Sequence, residues 1–248
     1  MTLPSTGPLS IGNIQTELGG SNPASLSEYY RNGPYTTANN TNVPTSGTIS
    51  VSNFYGAVGA LVVEYQLIGA GGAGGHGNFN SYASTRAPSG GSSSITSAAI
   101  TNLTAAGGLG GLDAYINPGY SPAPNRNGIG TVYGAGGIAG PSYYSETYSP
   151  GGAAPSASYG AGGGGGGGDY SGSNDSSGGA GGSGQAGTYL TGTWLLLPGT
   201  QLVVSIGTRG LDDGNGANPG GAGANGYARI RKDGGAWTNF TSGGTYVV

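Results

Sequence analysis

Residues 69–77 read Gly69-Ala70-Gly71-Gly72-Ala73-Gly74-Gly75-His76-Gly77, so two of every three positions are glycine. The same three-residue period recurs in residues 107–112, 134–140, 178–184 and 220–226, and the pure glycine run 162–168 is compatible with it. A period of three matches a polyproline-II-type helix, which has three residues per turn, a rise of about 3.1 Å per residue and no internal hydrogen bonds. The amides of such segments need partners outside the segment. We therefore predict polyglycine-II helices that hydrogen-bond to one another in a bundle.

Two other structures could explain so much glycine: flexible Gly/Ser-type linkers and collagen. Each glycine costs roughly 0.5–1 kcal/mol more to order than alanine, so only close packing would offset the ordering of tens of them. The period is kept in five separate stretches, which favours an ordered bundle over linkers. The stretches are short and contain almost no proline, which disfavours collagen.

Runs of β-branched and aromatic residues predict the strands. They lie at residues 61–68, 94–103, 192–197, 201–206, 227–231 and 245–248. Pro198-Gly199 is typical of a β-turn and predicts that the strands on either side of it form a hairpin. Because these strands need a shared apolar face, they predict one β core. The expected fold class is mainly β with polyglycine-II helices, preceded by a small N-terminal module with short helices.

The N-terminal residues have ordinary helix signals. Ser10 precedes apolar residues spaced three and four apart, and Gly19-Gly20 follow, which predicts a short helix with an N-cap and a glycine stop. Residues 25–28 fit a capping box ahead of a second short helix. We therefore divide the chain into residues 1–57, a compact module, and residues 58–248, the glycine-rich β domain.

The composition excludes several classes of function. The 248 residues include 58 glycines, 14 prolines, one histidine and no cysteine, and the formal net charge is −3. Without cysteine there is no disulfide, thiolate nucleophile or cysteine-based zinc site, and one histidine gives little scope for acid–base chemistry. Seven scattered basic residues are too few for a groove that follows nucleic acid phosphates. We expect no enzyme activity, no cofactor and no nucleic acid partner.

The stretches between the glycine segments are rich in Tyr, Ser, Asn, Gly and Pro, a mixture that resembles an antibody paratope. We predict that their tyrosines bind a receptor; the alternative is that they cover the ends of the bundle. The predicted binding residues are Tyr82, Tyr115, Tyr120, Tyr143, Tyr144, Tyr148 and Tyr170, and Tyr133 and Tyr159 lie within or beside the same stretches. Residues 212–216, Asp-Asp-Gly-Asn-Gly, have oxygen ligands but are also ordinary turn sequence, so no metal is predicted. His76 is interpreted as a packing residue.

Residues 7–20, 26–30 and 44–56, GPLSIGNIQTELGG, LSEYY and PTSGTISVSNFYG, resemble a segment common in tail-fibre and other virion proteins of tailed bacteriophages. The remainder is similar in texture to phage glycine-rich domains and to the distal tail-fibre adhesins of T-even phages, in which loops on a polyglycine-II bundle bind the host surface. The N-terminus departs from those adhesins. The resemblance implies a virion protein that docks to the particle through residues 1–57.

The leading hypothesis is therefore a tail-fibre or tail-tip adhesin whose partners are other virion proteins and a host-cell receptor, either an outer-membrane protein or a polysaccharide. A homo-oligomer is left open. The alternative is a purely structural virion component, such as a connector or baseplate protein; ice binding is disfavoured by the long Tyr-rich stretches. The N-terminus lacks the basic and apolar regions of a signal peptide, so we expect synthesis in the host cytoplasm and assembly into the virion.

Overall fold

The computed structural model describes residues 2–75, 87–112, 130–132, 135–137, 152–155, 158–163, 183–211 and 220–248. Within these residues the fold is mainly β, with two antiparallel four-stranded sheets and one α-helix. The first sheet has the strand order β4-β1-β6-β7 and the second has the order β3-β2-β5-β8. The strands are β1 (Leu61–Ile68), β2 (Ser93–Thr96), β3 (Leu103–Ala105), β4 (Tyr189–Leu196), β5 (Gln201–Ser205), β6 (Tyr227–Lys232), β7 (Thr238–Phe240) and β8 (Gly244–Val247).

The two sheets share one hydrophobic core, as the sequence predicted. Alternate side chains of each sheet point into it, including Leu67 of β1 and Leu202 of β5, both with no exposed surface. A Tyr65–Trp194 stack, with ring centroids 4.1 Å apart, packs against its margin. This core fixes the register of the strands, because a shift of one residue would turn every apolar side chain to the wrong face.

Two strand predictions were wrong in detail. The predicted single strand over residues 94–103 is two antiparallel strands, β2 and β3, with Ser93 opposite Ala105. The turn between them includes Ser97, whose side-chain oxygen accepts a hydrogen bond from the Ala99 amide at 3.3 Å. Side chains that bond to nearby backbone in this way favour turns over strand continuation.

The predicted hairpin at Pro198-Gly199 is also wrong. A turn is present, with the Thr200 amide donating to the Leu197 carbonyl at 3.1 Å, but β4 pairs with β1 and β5 pairs with β2 and β8. The turn therefore carries the chain from one sheet to the other. Leu196 and Leu202 on its two sides are both buried in the shared core, so the crossing is favoured by apolar burial rather than by pairing.

Residues 2–59 contain a second hydrophobic cluster. Helix α1 (Ile11–Leu18) begins at Ser10, whose side chain accepts a hydrogen bond from the Asn13 amide, and 3₁₀ helices follow at Leu26–Tyr29 and Val51–Phe54. Seven buried residues form the cluster: Leu3, Ile14, Leu18, Tyr29, Val43, Phe54 and Ala57. The predicted capping box at residues 25–28 is a simpler cap, in which the Ser25 side chain accepts from the Ser27 amide.

Residues 69–74 are the centre of the glycine-rich part. Every residue from 69 to 75 is buried, and six successive amides donate to three different segments in turn. Gly69 and Gly72 donate to Thr188 and Gln185, Ala70 and Ala73 to Gly91 and Pro88, and Gly71 and Gly74 to Ala224 and Gly221, at distances of 2.8–3.0 Å. The direction of the N–H group thus repeats every three residues.

The central segment is enclosed by a closed ring of six others. It donates to three antiparallel segments, and its carbonyl groups accept from three parallel ones, through the amides of Gly108, Gly163 and Gly210. Each outer segment is also hydrogen-bonded to its two neighbours in the ring. In ring order the outer segments are 183–188, 106–111, 87–91, 207–210, 220–226 and 160–163.

The ring and the sheets are continuous. Among the described residues, six strands are joined directly to a glycine-rich segment. Strand β1 leads into the central segment, β3 and β5 lead into the ring, and β2, β4 and β6 follow ring segments. The β core therefore lies at one end of the glycine array. Because glycines line these contacts, backbones approach at distances that side chains would not permit; a Cβ on Gly107 or Gly110 would overlap a carbonyl oxygen of segment 87–91.

Candidate functional site

Four stretches between the glycine segments join the end of the array that lies away from the sheets, and three of them contain predicted receptor-binding tyrosines. Segment 69–74 leads to residues 76–86, segment 106–111 to residues 113–129, segment 160–163 to residues 164–182 and segment 207–210 to residues 212–219. The chain returns from three of these stretches into segments 87–91, 183–188 and 220–226, which run back toward the sheets.

A fifth stretch, residues 138–151, joins the array on the same side. On its N-terminal side the Gly137 amide donates to the Gly162 carbonyl at 3.0 Å. On its C-terminal side the Ala154 amide donates to the Ala222 carbonyl at 2.9 Å, and Gly152 lies against Gly221. The described residues on both sides of the stretch are thus hydrogen-bonded to the outside of the ring.

All seven predicted receptor-binding residues lie outside the described residues. They are Tyr82, Tyr115, Tyr120, Tyr143, Tyr144, Tyr148 and Tyr170. Tyr133, His76 and the turn-like residues 212–216 also lie outside the described residues. In the part of the chain that is described, no group of three or more His, Cys, Asp or Glu side chains could hold a metal ion.

Tyr159 is the one tyrosine of the paratope-like set that the structure describes. Its ring stacks on Tyr227 with centroids 4.4 Å apart and an interplanar angle of 12°. Tyr227 is 7% exposed, and its hydroxyl donates to the Asn239 side chain at 2.5 Å. Burial raises the pKa of Tyr227. Tyr159 therefore packs at the junction of ring and sheet, which corresponds to the alternative of covering an end of the bundle.

Sequence reasoning missed a polar and aromatic ladder on the outer face of the first sheet. Arg231 makes two hydrogen bonds to Glu64, at 2.8 and 2.7 Å, and the Arg229 Nε donates to Gln66 at 2.8 Å. Both guanidinium groups lie over the Trp237 ring, at 4.4 and 4.5 Å from its centroid. The alternation of residues 227–231 could have indicated it, since residues two apart on a strand share a face.

The side chains of the ladder bond to one another, so we interpret the ladder as stabilising the sheet. The Arg231 guanidinium holds the pKa of the Glu64 carboxyl below its usual value. Arg229 and Arg231 are held against Trp237, so their side chains are fixed in place by hydrogen bonds and by the ring.

A shallow pocket of about 180 Å³ lies between the N-terminal residues and the turn after β4. Asparagine amides, the Tyr55 side chain and residues Leu197 and Pro198 line it, and no lining side chain is charged. The Asn40 side chain is held in place by accepting from the Val58 amide at 2.9 Å and donating to the Val58 carbonyl at 3.1 Å. The pocket thus marks the contact between the N-terminal cluster and the sheet end farthest from the array.

Comparison with family models, with curated proteins and with solved structures gave no match. None of the described helices is both long and apolar enough to cross a membrane.

Proposed function

We propose that the protein is a bacteriophage tail-fibre or tail-tip adhesin that recognises a host-cell receptor through Tyr/Ser/Asn-rich loops on a rigid glycine-helix scaffold. The observation that carries the proposal is the polarity of the chain. Residues 2–59 precede β1 at Leu61, whereas the stretches that contain the predicted tyrosines join the array beyond Ile68. Eight strand residues at about 3.3 Å each separate these ends by roughly 25 Å, before the length of the array is added.

The glycine segments are, in this proposal, polyglycine-II helices. Support comes from the three-residue repeat of N–H directions in residues 69–74 and from the bonds to six surrounding segments. Among the glycines of the seven described segments, Gly160 alone has a positive φ, of 73°. The remaining segment glycines are compatible with the left-handed three-residue helix, which has φ near −75°.

Rigidity is what such a scaffold would contribute to binding. Loops that are held at fixed ends lose less conformational freedom when they bind a receptor, so more of the contact energy appears as affinity. The central segment has a hydrogen-bond partner for each of six successive amides, and its alanines, Ala70 and Ala73, have no exposed surface. These contacts favour a scaffold that does not rearrange when its loops are engaged.

The N-terminal residues are proposed to attach the adhesin to the virion. They have their own buried cluster, and together with the turn residues Leu197 and Pro198 they line a pocket at the far end of the sheet. Attachment at that end would leave the array pointing away from the particle. The second candidate, a purely structural virion component, would use the same scaffold with its loops buried against neighbouring subunits.

Binding of fluorescent protein to candidate host cells tests the proposal. We expect the wild type to bind and the variant Tyr143→Ala/Tyr144→Ala/Tyr148→Ala to lose binding while it keeps its thermal transition. Trp237→Ala is the comparison variant, because it removes a partly exposed aromatic side chain from the sheet, and we expect it to bind like the wild type.

Two results would change the conclusion. Equal binding by the wild type and the triple variant would remove those three tyrosines from the receptor site. If the wild type binds no susceptible host, the structural candidate replaces the adhesin, and a structure of the particle with the loops internal would establish it.

A further inference from the structure

The edge strand β4 is unusually long. In the described part of the chain, the edges of the two sheets are β4, β7, β3 and β8, with eight, three, three and four residues. Short edge strands are one way in which proteins avoid unwanted pairing, and charged residues and proline are others. The sequence of β4, YLTGTWLL, contains no charge and no proline.

Hydrogen bonding shows which groups of β4 face outward. Just beyond β6, the Asp233 amide donates to the Val62 carbonyl, and the Val62 amide donates to the Asp233 side-chain oxygen. The backbone groups of even-numbered β1 residues therefore face β6, and those of odd-numbered residues face β4. Tyr65, which is odd, is paired with Gly192. It follows that even-numbered residues of β4 bond to β1, and that the backbone groups of Thr191, Thr193 and Leu195 point away from the sheet.

These outward groups are accessible in the described structure. Thr191 and Thr193 are exposed, and Leu195 is 68% exposed next to Val62, its neighbour across the sheet, at 42%. No backbone hydrogen bond between described residues joins Leu190–Leu196 to a segment other than β1, apart from the turn that follows. The edge therefore exposes backbone N–H and C=O groups next to the apolar side chains of Leu195 and Val62.

We propose that β4 pairs antiparallel with β4 of a second copy of this chain, across a two-fold axis at Gly192. In this register Thr191 of one copy lies opposite Thr193 of the other, and both have outward-facing backbone groups. Each such pair exchanges two N–H···O bonds, so the two symmetry-related pairs supply four. The first sheets of the two copies, with four strands each, then form one continuous eight-stranded sheet.

The side chains in this register are self-complementary, which is why the occupant is a second copy. On the outer face, Thr lies opposite Thr, and Leu195 lies opposite Tyr189. On the inner face, Leu190 lies opposite Trp194 and glycine lies opposite glycine at the axis. Thr–Thr pairs are favourable across strands, and the leucine–aromatic pairs bury apolar surface. The absence of charge removes like-charge repulsion between identical strands.

The first test is the molar mass of the full chain in solution, measured by light scattering over a dilution series. We expect the wild type at high concentration to have twice the chain mass of 23.9 kDa. Thr193→Pro removes an outward-facing donor without removing a β1 ladder bond, so the fold is retained and the mass falls to that of one chain. Thr193→Val keeps the donor and should remain a dimer. A monomeric wild type, or a dimer unaffected by proline, overturns the proposal.

The second test reads the register directly and does not depend on the proline variant folding. The chain has no cysteine, so Thr191→Cys and Thr193→Cys each introduce a unique thiol. Opposed residues of a hydrogen-bonded pair have Cα atoms about 5.5 Å apart, within disulfide range, whereas the diagonal separation of identical residues is about 7–8 Å. We expect a rapid cross-link when the two variants are mixed and little with either alone. Cross-linking that is equal in all three samples, or absent from the mixture, contradicts the register.

Discussion

Replacing Gly71 by alanine tests the packing of the central segment. The Gly71 amide donates to the Ala224 carbonyl at 2.9 Å, and its carbonyl accepts from the Gly210 amide at 2.9 Å. A Cβ at this position would overlap the carbonyl oxygen of Ala161 and lie 2.8 Å from that of Gly160. All of these obstacles are backbone atoms, so no side chain can rotate away to make room.

The expected cost follows from these contacts. Overpacking a well-filled site costs typically about 1–3 kcal/mol, and disturbing two hydrogen bonds adds about 1 kcal/mol each. Alanine restricts the unfolded chain and returns about 0.4–1 kcal/mol. We expect a net loss of roughly 2–4 kcal/mol from the free energy of unfolding. At about 2–4 °C per kcal/mol for a chain of this length, Tm should fall by roughly 4–16 °C.

Thermal unfolding followed by circular dichroism and calorimetry measures this effect. Gly12→Ala is the matched control, because it makes the same chemical change within helix α1, where a Cβ would lie 3.6 Å from the Ser10 Oγ. Alanine favours the helix, so the control should be neutral or up to about 1 kcal/mol more stable. If Gly71→Ala is as stable as Gly12→Ala, the glycine segments are not closely packed at this position.

Three further predictions concern other parts of the molecule. Ser10→Ala removes the N-cap of α1 and should lower the stability of the N-terminal cluster by about 1 kcal/mol, measured by denaturant unfolding, while Ser10→Asp, which can cap, should not. Leu67→Ala opens a cavity in the shared core and should cost about 2–5 kcal/mol in the same measurement; a loss below 1 kcal/mol would mean that the core readily collapses around the gap. Glu64→Gln removes the partner of Arg231. Because the folded-state pKa of Glu64 is lowered, its contribution is present above the usual carboxyl pKa and is lost as pH falls through the folded value, so wild type and variant should differ at neutral pH and converge in acid. A difference that grows in acid would have the wrong sign.

Local patterns in the sequence were sufficient to predict most individual elements. Helix α1 begins after Ser10 and ends before Gly19, as its cap signals indicated, and β1 occupies residues 61–68 as its β-branched residues indicated. The three-residue period indicated amides that must bond outside their own segment, and the amides of residues 69–74 do so. In each case the information lies within a few residues of the element.

Long-range arrangement was harder to predict because it depends on contacts between distant residues. Pro198-Gly199 specifies a turn, but burial of Leu196 and Leu202 in one core decides that the turn joins two sheets. Strand β7 was missed, although Asp233-Gly234, both with positive φ, is a hairpin signal that precedes it. The pairing of Arg231 with Glu64 joins residues 167 positions apart, which one sequence cannot reveal.

Amide hydrogen exchange in residues 69–74 tests whether the glycine segments form a rigid hydrogen-bonded scaffold. Each of these six amides donates to another segment, and residues 69–74 themselves are buried. We expect protection comparable to that of β1, which continues into this segment at Ile68. Exchange at the rate of an unstructured glycine chain, with β1 still protected, would contradict a rigid scaffold, because the predicted loops would then join flexible linkers instead of a fixed array.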